Sequence, residues 1–422
     1  MARFILSTYY GNPKSFDHLI PHQGMAMLAA SLEEAGHEVS VIDANLRGGS
    51  PEDIVRRVRR ERPDVLGLGL YQNGFQDSVE IARQVKAASP TTRVVAGGPH
   101  PTTWEENIYQ FTDCSPIDLM CRGEGERVIC DIARWAEGEI GKDDIPGVMF
   151  QHGGEIVKTP RVFLEDLNAL PMPAWHHFDL ERYLPILTIE LGRSCPWGRC
   201  SFCVHTMIDG KRREKDMPAI LREFTTNAER YGVPYARITD SMPTPRLLQN
   251  LTEAMISSRL PDTHGVRWTA FGNALILNDA VAEKMAQAGC IAVFLGIESG
   301  DDEMLKRMQK GVRSEHNRRA ILAARRAGIK VAASNIIGFP GETEESTQRT
   351  IDLMLATQPD VVIMYPLGVL PSTDLATHPE KYGITLHPDW RDKFINLRYV
   401  LVDSKLDMLH YFDYADGKPN TW

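Results

Sequence analysis

The sequence predicts an α/β chain of two successive parts: an N-terminal doubly wound, Rossmann-like parallel sheet, then a partial TIM-type barrel of six strand–helix units. Three observations predict this. Strand-like and helix-like patterns alternate over the first 140 residues, the alternation breaks at a hairpin and a proline-rich connector, and it then resumes for six units before stopping near Gly368. Parallel strands need crossover helices that cover both faces of the sheet, so regular alternation points to a buried parallel sheet.

In the first part the strand candidates are Phe4–Ser7, Val39–Asp43, Val65–Leu70, Arg93–Ala96 and Ile117–Arg122. Between them Met25–Ala35, Pro51–Glu61, Phe75–Ala88 and Glu124–Ala136 space apolar residues three and four apart, the helical period. Val148–Phe150 and Glu155–Lys158 flank Gln-His-Gly-Gly and read as a hairpin. Two prolines stiffen 168-NALPMPAW-175 against helix formation. The barrel strands are Ile186–Leu191, Tyr235–Asp240, Arg267–Phe271, Ile291–Ile297, Val331–Ile337 and Val361–Tyr365. Helices over Ala219–Tyr231, Pro245–Ser258, Ala280–Ala288, Glu315–Ala327 and Glu344–Ala356 separate them. Six units fall two short of a closed eight-fold barrel, so the expected barrel is open, with functional residues at strand ends and the loops after them. The expected division is 1–140, a linker over 141–184, the barrel over 185–370 and a C-terminal appendage over 371–422.

Composition narrows the function. A formal charge of −9 argues against a broad nucleic-acid surface, which needs excess lysine and arginine. No apolar run approaches the ~18 residues of a membrane span, and the N-terminus enters a strand pattern directly, so a cytoplasmic protein is expected. The seven cysteines are odd in number and three are clustered, which favours a reducing compartment over a disulfide framework. Small molecules or peptides are the expected ligands. Cys114, Cys121, Cys130 and Cys290 read as small buried apolar residues.

The cluster is 195-CPWGRCSFC-203, in the loop after the first barrel strand. Spacing C-x4-C-x2-C lets three thiolates wrap one small metal centre. A four-iron cluster ordinarily takes four thiolates, so three leave one iron open to an outside ligand. From the nonapeptide alone the rival is a closed Cys3His zinc site completed by His205.

With that loop, 296-GIESG-300 ending the fourth barrel strand and 336-IIGFPGET-343 ending the fifth, the chain resembles the radical S-adenosylmethionine (SAM) enzymes. Their signature is C-x3-C-x-aromatic-C after the first strand of a partial barrel. Phe202 supplies the aromatic; the first gap here holds four residues, and Gly198 tolerates the positive φ an extra residue demands. The resemblance implies a 4Fe-4S cluster on Cys195, Cys200 and Cys203, with SAM as the fourth ligand near Phe202, Asp240, Glu298, Ser299, Gly338 and Pro340. Asp240, in 239-TDSMP-243, is the candidate catalytic carboxylate, positioning a donor or taking a proton; capping the helix after Pro243 is its alternative role.

The first part lacks G-x-G-x-x-G after its first strand, so a nicotinamide role is unsupported. It resembles instead the cobalamin-binding domain of cobalamin-dependent radical SAM enzymes, through 21-PHQG-24, 97-GGPHPT-102 and 122-RGEGE-126. That resemblance implies cobalamin near Gly97, Gly98, Gly123, Glu124 and Gly125, with the glycines letting the corrin or its tail approach the backbone. D-x-H-x-x-G is absent, since Asp17-His18 and His22-Gln23-Gly24 both miss its spacing; Tyr71, Gln72 and Asn73 would then face cobalt's lower side, with His100 as a second contact. Met364, Tyr365, Trp268 and Asn273 are candidates for a substrate cavity or for core packing.

The family implies a methyltransferase acting on a carbon, less readily a phosphorus, of a small molecule or peptide, through methylcobalamin and a 5′-deoxyadenosyl radical. A flavodoxin or ferredoxin would supply electrons. Two alternatives stand beside it: a radical oxidation, rearrangement or cyclisation with the same cofactors, and a cobalamin- or metal-sensing protein with an inert barrel. The stretch 380-EKYGITLHPDWRDKF-394 is expected to help close the cavity.

Overall fold

β1 (Arg3–Thr8) is buried along all but its first residue, and β3 (Val65–Gly69) is buried throughout. Both therefore need neighbours on either side. In the computed structural model, which describes residues 1–9, 19–46, 49–395 and 412–414, β1 pairs in parallel with β2 (Glu38–Asp43) and β3. The sheet continues through β4 (Arg93–Gly97) and β5 (Leu119–Cys121), then turns antiparallel at β6 (Val148–His152) and β7 (Glu155–Lys158). Its order is β2-β1-β3-β4-β5-β6-β7, so the strand order reverses between β1 and β3. Register aligns Thr8 with Asp43 and Gly69, and Gly69 with Gly97, bringing four carboxyl ends to one edge. Ligands of such sheets bind at that reversal.

Helix ends here follow local chemistry. Pro51–Glu61 begins with a Ser50–Asp53 capping box and proline at its first position, and ends at Arg62 in the left-handed region. A cap of this kind is worth ~1 kcal/mol. The crossover from β4 to β5 uses two short helices, Pro99–Trp104 and Asn107–Phe111, too short to register as a 3.6-residue period in the sequence. The hairpin extends the first sheet at β5, and the proline-rich connector lies along the same unit: Ala174 N–H donates to Ala26 at 3.0 Å and Leu184 N–H to Leu19 at 2.8 Å.

A second compact unit begins at Ile186. β8 (Ile186–Ile189) is followed by a two-residue ladder, β9 (Gly192–Arg193) with β10 (Arg213–Glu214). Then come β11 (Tyr235–Ile238), β12 (Arg267–Gly272), β13 (Cys290–Glu298), β14 (Lys330–Ile337) and β15 (Val361–Pro366). The six long strands are parallel in the order β15-β14-β13-β12-β11-β8, an open (β/α)6 sheet whose two edges do not pair with each other. An antiparallel pair of β16 (Ile384–Leu386) and β17 (Phe412–Tyr414) follows.

Alternation sorts the strand residues. Ile189, Ile238, Trp268, Ala270, Val293, Leu295, Val331 and Ala333 share one apolar core with Leu251 and Met255 of helix Pro245–Ser258. The intervening positions face the other way, and there Phe271 and Phe294 meet edge to face at 5.1 Å. Trp268 is thus core: it is fully buried and its indole N–H donates to Ala288. No helix among the described residues is long and apolar enough to cross a membrane.

Candidate active site

The cysteine loop is closed at its base. The β9–β10 ladder joins residues on either side of it, and the Arg212 guanidinium donates to the Ser194 carbonyl at 2.7 Å. Within the loop, the Trp197 indole N–H donates to Gln309 at 2.9 Å and the ring lies against Gly311. Ser201 is held on both backbone groups, its N–H by Met308 and its carbonyl by Leu375, each at 3.0 Å. Gly198 has φ 59°, the conformation expected for the four-residue gap. That gap has a local use: it carries Trp197 onto the segment that follows 296-GIESG-300.

All seven cysteines are free. Burial pushes the Cys200 thiol up to about 12 against the pull of Lys310, and Cys203 also rises, chiefly by burial. Each feels the Cys195 sulfur, the Lys310 ammonium and the Glu298 carboxylate, so the groups converge. No three donors among Cys195, Cys200, Cys203 and His205 lie within 4.8 Å of one another. A tetrahedral zinc site, at Zn–S of about 2.3 Å, has edges of about 3.8 Å. His205 turns instead to Ser241 Oγ at 3.1 Å. The donor set suits a cluster that spreads its thiolates over separate irons.

Glu298 ends β13 at φ 62°, a left-handed conformation that costs a side-chain-bearing residue free energy, just past a register shift against β14. Its carboxylate accepts from Lys310 Nζ at 2.7 Å. A side chain at Gly296 would sit 2.5 Å from that carboxylate oxygen, so glycine there makes room for the pair. Burial pulls the Lys310 ammonium down, but Glu298 and Cys200 more than offset it and hold it above its ordinary range. Sequence reasoning missed Lys310: twelve residues separate it from Glu298, and only the turn after helix Asp302–Arg307 returns it.

Ser299 faces away from this pair. Its hydroxyl meets Thr350 at 3.3 Å and accepts from Asp301 N–H at 3.1 Å, so its side chain serves the packing of helix Glu344–Thr357. Gly338 N–H donates to Glu342 at 2.6 Å, and the Pro340 carbonyl accepts from Arg307 at 3.2 Å. Phe202, which precedes Cys203 in the chain, is half-buried.

Asp240 is fully buried and gripped on both oxygens by Arg212, at 2.7 and 2.6 Å, with a third bond from Met242 N–H. Burial pushes its carboxyl up while Arg212 pulls it down. The helix-capping alternative does not hold: Thr244 caps Pro245–Ser258 through Leu247 N–H. Arg212, absent from the sequence-derived site, also reaches Glu214 at 3.0 Å. Asn273 turns to Leu275 N–H, while Met364 and Tyr365 are exposed on the edge strand β15.

In the first unit, 21-PHQG-24 and 71-YQNGFQDS-78 meet at the strand-order reversal. His22 Nδ1 accepts from Met25 N–H at 3.1 Å, which places the ring proton on Nε2, and Nε2 then donates to the Tyr71 oxygen at 2.6 Å. Gln72 and Asn73 lie in the turn Gln72–Gly74. Asp17 and His18 lie outside the described residues. Gly98 has φ 110°, which only glycine adopts readily, with the Leu70 carbonyl 3.0 Å from where a side chain would begin. A side chain at Gly97 would meet Cys121 only at ordinary contact distance, at 3.4 Å, while at Gly123 and Gly125 it would crowd the ends of Arg161 and Leu28, each at 3.0 Å; Gly123 also has φ 91°. Glu124 accepts from Leu164 N–H at 2.6 Å.

His100 differs from a hydrogen-bonding turn residue. It is buried between Phe75 and Trp104, and neither ring nitrogen has a hydrogen-bond partner among the described residues. Burial lowers its imidazole to about 3. Below the ordinary histidine range the unfolded chain takes up a proton that the folded chain refuses. Stability is therefore full above pH ~6.5 and falls toward pH ~3, by up to ~1.4 kcal/mol per pH unit. His100→Leu should flatten that fall in denaturant titrations of the cobalamin-free chain.

Fold and site together define a two-part enzyme with a parallel sheet open at its switch point and a thiol-bearing partial barrel. Residues 14–133 match the B12 binding domain and residues 189–354 the radical SAM superfamily, together more than half of the chain. The chain belongs to the cobalamin-dependent radical SAM enzymes. It is 26% identical over 398 residues to an uncharacterized methyltransferase of Pyrococcus horikoshii, covering 93% of this chain and 84% of that one. It is 23% identical over 356 residues to the anaerobic magnesium-protoporphyrin IX monomethyl ester cyclase of Synechocystis, covering 82% of this chain and 70% of that one. The structure of the radical SAM methyltransferase TsrM from Kitasatospora setae, with cobalamin and a 4Fe-4S cluster bound, superposes with a TM-score of 0.75. At 21% identity over 92% of this chain and 77% of that one, it shows a shared fold.

Proposed function

We propose that the chain is a cobalamin-dependent radical SAM methyltransferase that methylates a carbon, less readily a phosphorus, of a small-molecule or peptide substrate. The observation that carries this reading is the set of three thiols on the loop after the first barrel strand, which converges with Lys310 and Glu298 at the strand ends. The methyltransferase relatives favour methyl transfer over other radical chemistry. When bound, the reduced cluster supplies the electron that breaks the sulfonium bond of SAM, and cobalamin carries the methyl group.

Cys195, Cys200 and Cys203 hold the cluster, and the anchors at Trp197 and Ser201 keep their loop from swinging. Lys310 offsets the negative charge that the thiolates and Glu298 bring together. Glu298 and the backbone at Gly338 and Pro340 line the SAM side. Asp240, through Arg212, positions the start of the cysteine loop and is not a free base. Phe271 and Phe294 present apolar surface on the inward face, where water must be kept from a radical. Tyr71 and Gln72, half-buried at the first sheet's carboxyl edge, are the polar groups offered to cobalamin, while the ring of His100 is enclosed between Phe75 and Trp104. Seven free thiols suit the cytoplasm, where a flavodoxin or ferredoxin would be the electron donor.

The cyclase relative supports a second reading, with the same cofactors and no methyl transfer. The test is anaerobic turnover of iron- and cobalamin-loaded protein with SAM and a strong reductant. S-adenosylhomocysteine formed alongside 5′-deoxyadenosine is the expected result. 5′-deoxyadenosine alone favours the second reading, and intact SAM overturns both.

A further inference from the structure

Outside the cofactor sites, one group of side chains in the first unit is arranged as metal ligands. His176 and His177 stand in the short turn Trp175–His177 of the connector, and Glu33 in the last turn of helix Gln23–Glu34. Both histidine Nε2 atoms lie 2.9 Å from the same Glu33 oxygen, Oε1. The three donors fall within 4.8 Å of one another, the one such trio among the described residues.

The turn that presents them is fixed. Trp175 is fully buried and packs on Phe178 at 5.9 Å, and Ala174 N–H ties the turn to Ala26 of the same helix. The imidazoles lie 4.5 Å apart between centroids, tilted by 37°, and both are directed at the Glu33 carboxylate near the helix end. That end carries the negative pole of the helix dipole, where a cation is favoured, yet its last turn holds no basic residue. Glu33 and Glu34 add further negative charge.

We propose that Glu33, His176 and His177 bind a divalent cation of the zinc class, which pins the connector to the helix. Zinc bonds to nitrogen and oxygen are about 2.0–2.2 Å, which gives tetrahedral edges of about 3.4 Å. The two nitrogen–oxygen edges, at 2.9 Å, therefore need to open by only roughly half an ångström, and the nitrogen–nitrogen edge already lies within 4.8 Å. Each imidazole gives its Nε2 lone pair and carries its proton on Nδ1, Glu33 gives one oxygen, and water completes the shell. Two nitrogens and one carboxylate suit Zn2+, Co2+ or Ni2+ better than Ca2+ or Mg2+. No electron is exchanged. Half-exposure of the carboxylate and of His176 makes the ion a staple, not a buried catalytic centre.

The test uses the full-length chain, loaded with iron and sulfide so that the cysteines are occupied, titrated anaerobically with Co2+ and then Zn2+. One Co2+ per chain is expected beyond the iron, with the weak visible bands of nitrogen and oxygen ligation. His177→Ala and Glu33→Gln should each weaken binding at least tenfold. Zn2+ should raise the thermal midpoint of the parent and not of the variants, whose metal-free midpoints stay near the parent's. Undiminished binding in both variants, absence of a bound equivalent, or intense thiolate charge-transfer absorption placing the cobalt on cysteine would each overturn the proposal. A failed SAM assay would leave these readouts unaffected, because the site shares no residue with the cofactor sites.

Discussion

Cys200→Ala is expected to abolish both iron retention and SAM cleavage. Cys200 is the middle thiol of the loop and precedes Ser201, whose backbone is pinned by Met308 and Leu375, so no flexible neighbour can swing in to replace it. His205, the nearest alternative ligand in sequence, directs its Nδ1 to Ser241 at 3.1 Å. Loss of a direct ligand should exceed the 10- to 100-fold typical of an outer-shell change. Cys290→Ala is the control: that thiol is buried in the core at the start of β13 and donates to the Ala292 carbonyl, so its loss should leave iron content unchanged. Iron and sulfide analysis with 5′-deoxyadenosine quantification checks both. A Cys200→Ala protein that keeps its iron and cleaves SAM at the parent rate would refute the assignment of the loop.

Arg212→Ala should cost about 3–5 kcal/mol of stability, the usual penalty for stranding a buried charge. Asp240 has no access to water, and Arg212 supplies two of its three hydrogen bonds. The same guanidinium holds the Ser194 carbonyl, so the variant also frees the entry to the cysteine loop. Ser194 sits at φ 72°, a conformation that needs outside support in a residue with a side chain. The double variant Arg212→Met with Asp240→Leu should recover much of the stability, since no charge is left unpaired, but not the iron occupancy. Denaturant unfolding read beside iron content separates the two effects. A cost below ~1 kcal/mol for the single variant would show that water reaches Asp240.

Much of this architecture is legible in the chain because its signals are local. Pro51–Glu61, Phe75–Ala88 and Pro245–Ser258 begin and end where periodicity, proline and caps place them. The three cysteines and the aromatic before the last are contiguous, so a nine-residue window contains the donor set. Groups that act across distance are not legible this way. Arg212 reaches Asp240 across 28 positions, and nothing in the spacing of arginine to aspartate marks the pair. Nor does the place of Ser299 in 296-GIESG-300 reveal that its hydroxyl meets Thr350, 51 residues away.

By itself the sequence determined the long secondary elements, their parallel arrangement and the grouping of three thiols in one loop, because hydrophobic period, turn residues and short motifs act between near neighbours. Only the tertiary structure decided which way each side chain faces and what holds it. It put Trp268 in the core, tied Asp240 to Arg212, set Lys310 on Glu298 and left the ring nitrogens of His100 without a hydrogen-bond partner among the described residues. The reason is physical: a buried polar group is satisfied by whichever donor the fold brings near, and contact order along the chain does not encode that choice.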